Sequence, residues 1–493
     1  MKEKNIIKMN RQNRFNGFLS RKKIQEIMLV FLFSFLLFSE TSGQTTTSFS
    51  ISNSTLVSTS EKMPFWIWAN TNGKIDKNNS FLNLLEVNAE GVHFFNKKNL
   101  ILKAGATLNY GIGNNNRYFQ ANQIFTRLNL NNWELSIGMY HNDLFFKGLS
   151  TTNGNIAKSR NARPLPRISL RVSEYKPIPF LNNILFFKGE YDEGFLTDKR
   201  YVNNAHLHHK SLYLRLNLFQ NLSIEGGAEH FVMWGGTSRN AKTGKLPSNV
   251  SAYFRYISGS QGDSKFPIMD QMNVAGNQYG TYQILITQKF KQFEASLNIS
   301  HPFEDFSGVN LQNWPDNTIG ILIKLNNTNK FITHFIYEYT NTRQQGIKNA
   351  LRYWSEKEQK WKSHEYDNYF NHSIYKSGVT YYNKTSGSPL FMPIKQEDNI
   401  CRGIESTRFF AHHIGFKGNI SKTIRWKSLI TYIQQLGTWQ KPYSPPHSQT
   451  SILLNFLYSE NIIPFKIDLT IAGDIGTNYK NYLGLQLKIQ YEF

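Results

Sequence analysis

The chain has one cysteine, Cys401, in 493 residues. No intrachain disulfide can form, so closure and packing must hold the fold. It lacks a G-x-S-x-G elbow, a P-loop and any Cys/His cluster at metal-ligand spacing. No motif therefore argues for a serine hydrolase of the elbow type, a nucleotide-driven enzyme or a structural zinc site. A Ser–His–Asp or Ser–His–Asn site would be scattered along the sequence, so that class stays open, although nothing points to it. Acidic residues are few, 34 against 56 Lys and Arg, for a formal charge of +22. The basic residues are interspersed, which argues against a nucleic-acid stripe. The charge suits lipopolysaccharide phosphates, an acidic polysaccharide, or only a well-solvated surface. Beyond residue 43 no apolar run approaches the roughly twenty residues that a membrane helix needs, and mean hydropathy is −0.45.

Aromatics are plentiful, with 25 Tyr and 37 Phe, and the apolar residues alternate. Leu483, Leu485, Leu487, Ile489, Tyr491 and Phe493 point one way; Gly484, Gln486, Lys488, Gln490 and Glu492 point the other. Period two is the strand period. A closing strand that ends on an aromatic looks like the signal read by outer-membrane insertion machinery. Similar sets begin at Leu100, Trp133, Ile168, Leu212, Phe293, Ile319, Phe331, Ile424, Ile452 and Phe465. Their opposite faces carry Arg215, Glu225, Glu229, Glu294, Lys324, Glu338, Arg425, Lys427, Lys466 and Asp468. Charge on one face and aliphatics on the other suit a wet lumen and a lipid exterior. A β-sandwich would give the same alternation with solvent and core exchanged.

The amino end is basic, then apolar from Ile27 to Ser39, then small at Thr41-Ser42-Gly43. That order predicts a secretory leader over 1–43. The remaining 44–493 then form one all-β domain, a transmembrane antiparallel β-barrel. At roughly 25 residues per strand and connection it has about 16–18 strands, an even number. Residues 44–99 are expected to supply an N-terminal segment with possible plug elements, and 100–493 the main strands. Long excursions are expected at about 141–165, 233–250, 258–278, 302–317, 340–372, 383–405 and 437–448, extracellular or folded inward. Ile347, Leu351 and Trp354 stand at helical spacing within 345–361. A barrel this wide is an open channel unless something fills it.

Met63-Pro64-Phe65-Trp66-Ile67-Trp68-Ala69-Asn70 with Gly73-Lys74-Ile75-Asp76 resembles the opening motif of the Wzi-type capsule-assembly proteins of the Bacteroidetes. The runs Arg163-Pro164-Leu165-Pro166-Arg167-Ile168, Phe187-Lys188-Gly189-Glu190-Tyr191 and Arg200 to His208 continue the likeness, as do Trp234-Gly235-Gly236, Phe303 to Gly308, Tyr337 to Thr342 and Tyr369 to Gly378. It spans nearly all of 44–493 in order. One departure is Asn277-Gln278-Tyr279-Gly280, where a His is expected after the Asn. The resemblance favours about 18 strands. It implies a monomeric, non-enzymatic outer-membrane lectin without a cofactor, which anchors exported capsular polysaccharide or exopolysaccharide. A porin-like channel, or an enzyme acting on lipid A or glycan, are the alternatives.

Sugar C–H faces stack on aromatic rings, and acidic sugars want cations. Trp66, Trp68, Trp234, Trp314, Trp354, Trp361 and Trp439, with Arg163, Arg167 and Arg200, are therefore the candidate glycan contacts. The plainer readings are an aromatic girdle at the membrane boundary and, for the arginines with Arg171, a charge ladder across the lumen. His206, His208 and His209 cannot all face one ion in a strand. Glu190 and Asp192 share a face, as a glycosidase pair would, but nearby Lys and Arg suggest charge balance.

Overall fold

A computed structural model describes residues 43–493 apart from 96–98, 182, 305, 328, 347–351, 356–359, 364–365, 396–397, 461–462 and 478–480. The expected leader lies outside the described residues except for Gly43.

Eighteen antiparallel strands close into one barrel. In chain order they are β1 Gly43–Ser58, β2 Phe81–Phe95, β3 Leu100–Gly113, β4 Arg117–Leu130, β5 Trp133–Met139 and β6 Arg167–Pro177. There follow β7 Leu185–Phe195, β8 His206–Phe219, β9 Leu222–Trp234, β10 Asn277–Lys289, β11 Phe293–Phe303 and β12 Asn317–Leu325. The last six are β13 His334–Asn341, β14 Phe409–Asn419, β15 Ile424–Gly437, β16 Pro442–Ser459, β17 Phe465–Gly476 and β18 Tyr482–Glu492. Each strand pairs with the next, and β18 returns to β1 from Ser50↔Glu492 to Ser58↔Gly484. Closure removes every sheet edge, which is what lets strands sit in lipid. Among the described residues no helix is long and apolar enough to cross a membrane.

The strand faces follow the period-two pattern. Leu212, Leu214, Ile284, Ile321, Ile452, Ile467, Leu483, Leu485, Leu487 and Ile489 are all exposed on the outside. Aromatics cluster at both rims. Phe331 stacks on Trp426 beside the turns, and Tyr282 on His301 at the other end. Both ends of the described chain and the short turns share one rim, so by the rule for such barrels the opposite rim is the outer one.

The wall begins earlier than Leu100: β1 and β2 belong to it, and only 59–80 between them turns inward. Two expected loops differ from the structure. Pro442–Ser459 is strand, so 437–448 shrinks to a four-residue connection, 438–441. The spacing around Trp354 makes no helix in the described part; Arg352–Ser355 and Lys360–Ser363 pair as a hairpin with Trp354 opposite Trp361. The aromatic residues Tyr353, Trp354 and Trp361 favour the pleated form.

The long connections divide into two sets. Segments 59–80, 140–166, 196–205, 366–395 and 398–408 enter the outer half of the lumen. There Phe65, Trp66, Ile67, Ile156, Leu196, Tyr369, Phe370, Tyr375 and Phe391 form one core with inward wall residues such as Leu56, Leu82, Phe231, Ile336, Leu429 and Leu453. The lumen is thus a packed interior at that level. Segment 249–276 instead lies on the outside of the wall. Asn249 caps helix α1, Val250–Ser258, by accepting from the Ala252 N–H at 2.8 Å, and Gly259 ends it at φ 66°. α1 buries Ala252 and Tyr256 against Val232 and Trp234, with Phe266 and Ala275 completing the cluster.

Candidate functional site

The inward-folded segments reach the wall through charge. Lys158, on the 140–166 segment, sits 2.8 Å from Glu190 and 4.0 Å from Glu229. Burial opposes the charge on Lys158, yet Glu190, Glu229 and Asp192 outweigh it and hold the ammonium above its ordinary range. His209 bridges Asp192 and Glu229 at 3.0 Å each, and Arg167 lies 3.9 Å from Asp192. Tyr213 donates to Glu229 as well. A second group joins Arg171 to Glu134 at 2.8 Å and to Asp143 at 3.0 Å. A third joins Lys74 and Lys488 to Glu86.

This arrangement answers three sequence readings. Arg167 and Arg171 are rungs of a lumenal ladder, matched to carboxylates. Glu190 and Asp192 are neutralised by Lys158, Arg167 and His209, so neither is poised as a free acid or nucleophile. Glu190, Asp192 and His209 are close enough to share an ion, but Lys158 and Arg167 already supply the counter-charge there. His208 bonds to Glu193 at 2.7 Å on the outer side, away from His209.

Beneath the plug a cavity of about 140 Å³ lies between Tyr140, Phe145, Tyr175, Lys188, Glu225 and Tyr213. A second, of about 350 Å³, lies between the underside of Trp66 and the β15–β18 wall, with Lys147, Lys427, Asn455 and Gln486 on its lining.

The ten expected contacts separate by position. Trp66 and Trp68, each 6% exposed, form the short helix Phe65–Trp68 inside the plug core. The Trp66 indole donates to the Thr431 hydroxyl at 3.2 Å. Trp234 is the last residue of β9, stacks on His206 at 4.4 Å and lies beneath α1. Arg200, 1% exposed, donates to the Thr380 and Gly378 carbonyls and pairs with Asp198 at 3.3 Å, so it ties plug segments together. Trp314 is exposed beside His301, on the outer side of the wall. The side chains of Trp354 and Trp361 lie outside the described residues.

Arg163 and Trp439 are different. Arg163 stacks over Tyr382 at 4.2 Å, and Tyr382 is exposed. Arg408 stacks over Trp439 at 3.4 Å. A third set places Arg402 and Lys376 over Tyr201, at 5.4 and 5.1 Å. All three stand where the plug meets the long-connection rim. Sequence reading missed Tyr382, Arg408 and Tyr201, because no short-range spacing joins Arg163 to Tyr382 or Arg408 to Trp439.

No protein-family model matches the sequence, and no curated protein does. Among solved structures, the chain is similar to Wzi of Escherichia coli, described as an outer-membrane protein involved in group 1 capsule assembly and a carbohydrate-binding β-barrel. That likeness has a TM-score of 0.57 at 13% identity and covers 95% of this chain and 88% of the other. Two structures of Pseudomonas aeruginosa proteins also align: OccK5 (OpdH), with a TM-score of 0.46 at 9% identity over 91% and 98% of the chains, and OprD, with 0.46 at 8% over 92% and 97%. The fold is that of an outer-membrane β-barrel, and the similarity to Wzi supports a Wzi-like fold.

Proposed function

We propose that this protein is a non-enzymatic surface lectin of the outer membrane, which holds an acidic capsular polysaccharide or exopolysaccharide at its outer rim. The observation that carries the reading is the set of cation–aromatic stacks on a closed rim: Arg163/Tyr382, Arg408/Trp439 and Arg402/Lys376/Tyr201. A ring offers its face to sugar C–H bonds, and the cation beside it offers charge to a uronate or phosphate. Each contact is weak; a polymer that engages several gains avidity. The packed outer half of the lumen disfavours the channel reading, and the paired lumenal carboxylates disfavour the glycosidase reading. The carbohydrate binding of the similar Wzi barrel is consistent with this role.

The test is polysaccharide retention by a deletion strain carrying either the native chain or the variant Arg163→Ala/Tyr382→Ala/Arg408→Ala/Trp439→Ala, with cell-bound and released polymer measured separately. The variant should release at least about tenfold more polymer, as expected from losing several contacts of about 1 kcal/mol each. Equal retention by correctly inserted variant and native protein refutes the reading.

A further inference from the structure

The turn-side half of the lumen holds a row of basic side chains, two of whose lysines the wall does not neutralise. Cross-strand register places Lys324 opposite His334, His334 opposite Lys417, and Lys417 opposite Lys427, across four adjacent strands β12–β15. All four are inward: they share strand parity with Leu322, Ile336, His413 and Leu429, which meet the plug. Lys324 has Glu294 at 3.8 Å. Among the described residues, no carboxylate comes within ion-pair distance of Lys417 or Lys427. Asp468 is the carboxylate that acts on Lys427, and its Oδ1 already accepts from Asn455 at 2.6 Å and Thr470 at 3.2 Å.

Like charges directly opposite on one sheet face destabilise it. The ladder on the β4–β9 wall shows that this barrel can match lumenal charge, and the β12–β15 wall omits the partners. A third cation is added from the plug. Lys147 holds a left-handed backbone, φ 54°, on an exposed turn, and acts electrostatically on both Lys417 and His334. Lys147 and Lys427 line the 350 Å³ cavity under Trp66 together with Arg160 and one carboxylate, Asp468. The row then continues in register from Lys427 to Asn455, Thr470 and Gln486.

We propose that this cavity is a lumenal site for an acidic saccharide unit, distinct from the outer rim. Lys147 and Lys427 hold its carboxylate or phosphate, Lys417 adds its charge from the position opposite Lys427, Asn455 and Gln486 hold its hydroxyls, and Trp66 covers a C–H face. The saccharide part rests on the lectin reading; the anion part rests on the register alone.

The test uses the full chain in detergent and isothermal titration with trigalacturonate, maltotriose and inorganic phosphate. Trigalacturonate should bind in a salt-sensitive manner and maltotriose should not. Lys417→Gln/Lys427→Gln should weaken trigalacturonate about tenfold or more, the scale of one charge-assisted hydrogen bond, while raising the unfolding temperature by removing the repulsion. Lys422→Gln, on an exposed turn, should change neither. Unchanged affinity in the double variant overturns the site, and phosphate binding as tight as trigalacturonate overturns saccharide recognition. A rim that retains polymer while these titrations fail separates this outcome from failure of the lectin reading.

Discussion

Glu338 shows how single residues fasten the plug. It is 1% exposed on β13 and accepts from the Ser150 hydroxyl at 2.5 Å, the Thr151 N–H at 2.7 Å and the Thr151 hydroxyl at 2.9 Å. Replacement by Leu would leave three donors without an acceptor. Such a loss costs about 3 kcal/mol, so Glu338→Leu should lower the thermal transition of the detergent-solubilised protein, and Glu338→Gln should recover part of it. An unchanged transition would show that Ser150 and Thr151 find other partners. Asp270 is a residue of another kind. Burial pushes its carboxyl up to about 6, opposed by one hydrogen bond from the Gly276 N–H. A raised carboxyl pKa means the neutral form is favoured when folded. Stability from this group is therefore full below pH 4 and falls on the order of 2 kcal/mol as pH rises through 6. Limited proteolysis within 249–276 should accelerate over that interval, and Asp270→Asn should flatten the profile.

Elements fit where side chains are missing as much as where they are present. A Cβ on Gly484 of β18 would stand 2.7 Å from Pro64 and 2.8 Å from Ile67, so the inward face of the closing strand is bare where the Phe65–Trp68 helix seats. Gly484→Val should displace that helix without breaking the β18–β1 pairing. Its readout is faster proteolysis within 59–80 while the barrel keeps its heat-modifiable gel mobility. Intact 59–80 at native rates would mean that the helix seats elsewhere. Element α1 is amphipathic for another reason: Val250 and Phe254 remain exposed on its far side, continuing the apolar exterior above β7–β10.

For the whole molecule, the central question is whether an 18-strand barrel conducts. Barrels of this width leave an aqueous lumen unless filled, and the shared core of plug and wall fills the outer half. Native protein should show no stable open state in a planar bilayer. Excision of 144–157, which removes Ile156 and Ala157 from that core, should produce one. Steady conductance by the native chain would mean that the plug opens spontaneously.

The amino-acid sequence by itself determined which strand faces meet lipid, that the wall is antiparallel and evenly numbered, and where most long connections leave it. Those properties depend on period two and on turn chemistry, and both are local. Tertiary structure alone decided that Trp66, Trp68 and Arg200 are interior, that Trp234 lies under an external helix, and that 437–448 is mainly strand. It alone decided too that Arg167 is paired while Lys417 and Lys427 are not. The physical reason is that burial of a loop aromatic and pairing of a lumenal charge depend on what stands across the barrel. Register brings such partners together from strands and segments far apart in the chain, and no spacing along the chain encodes that distance.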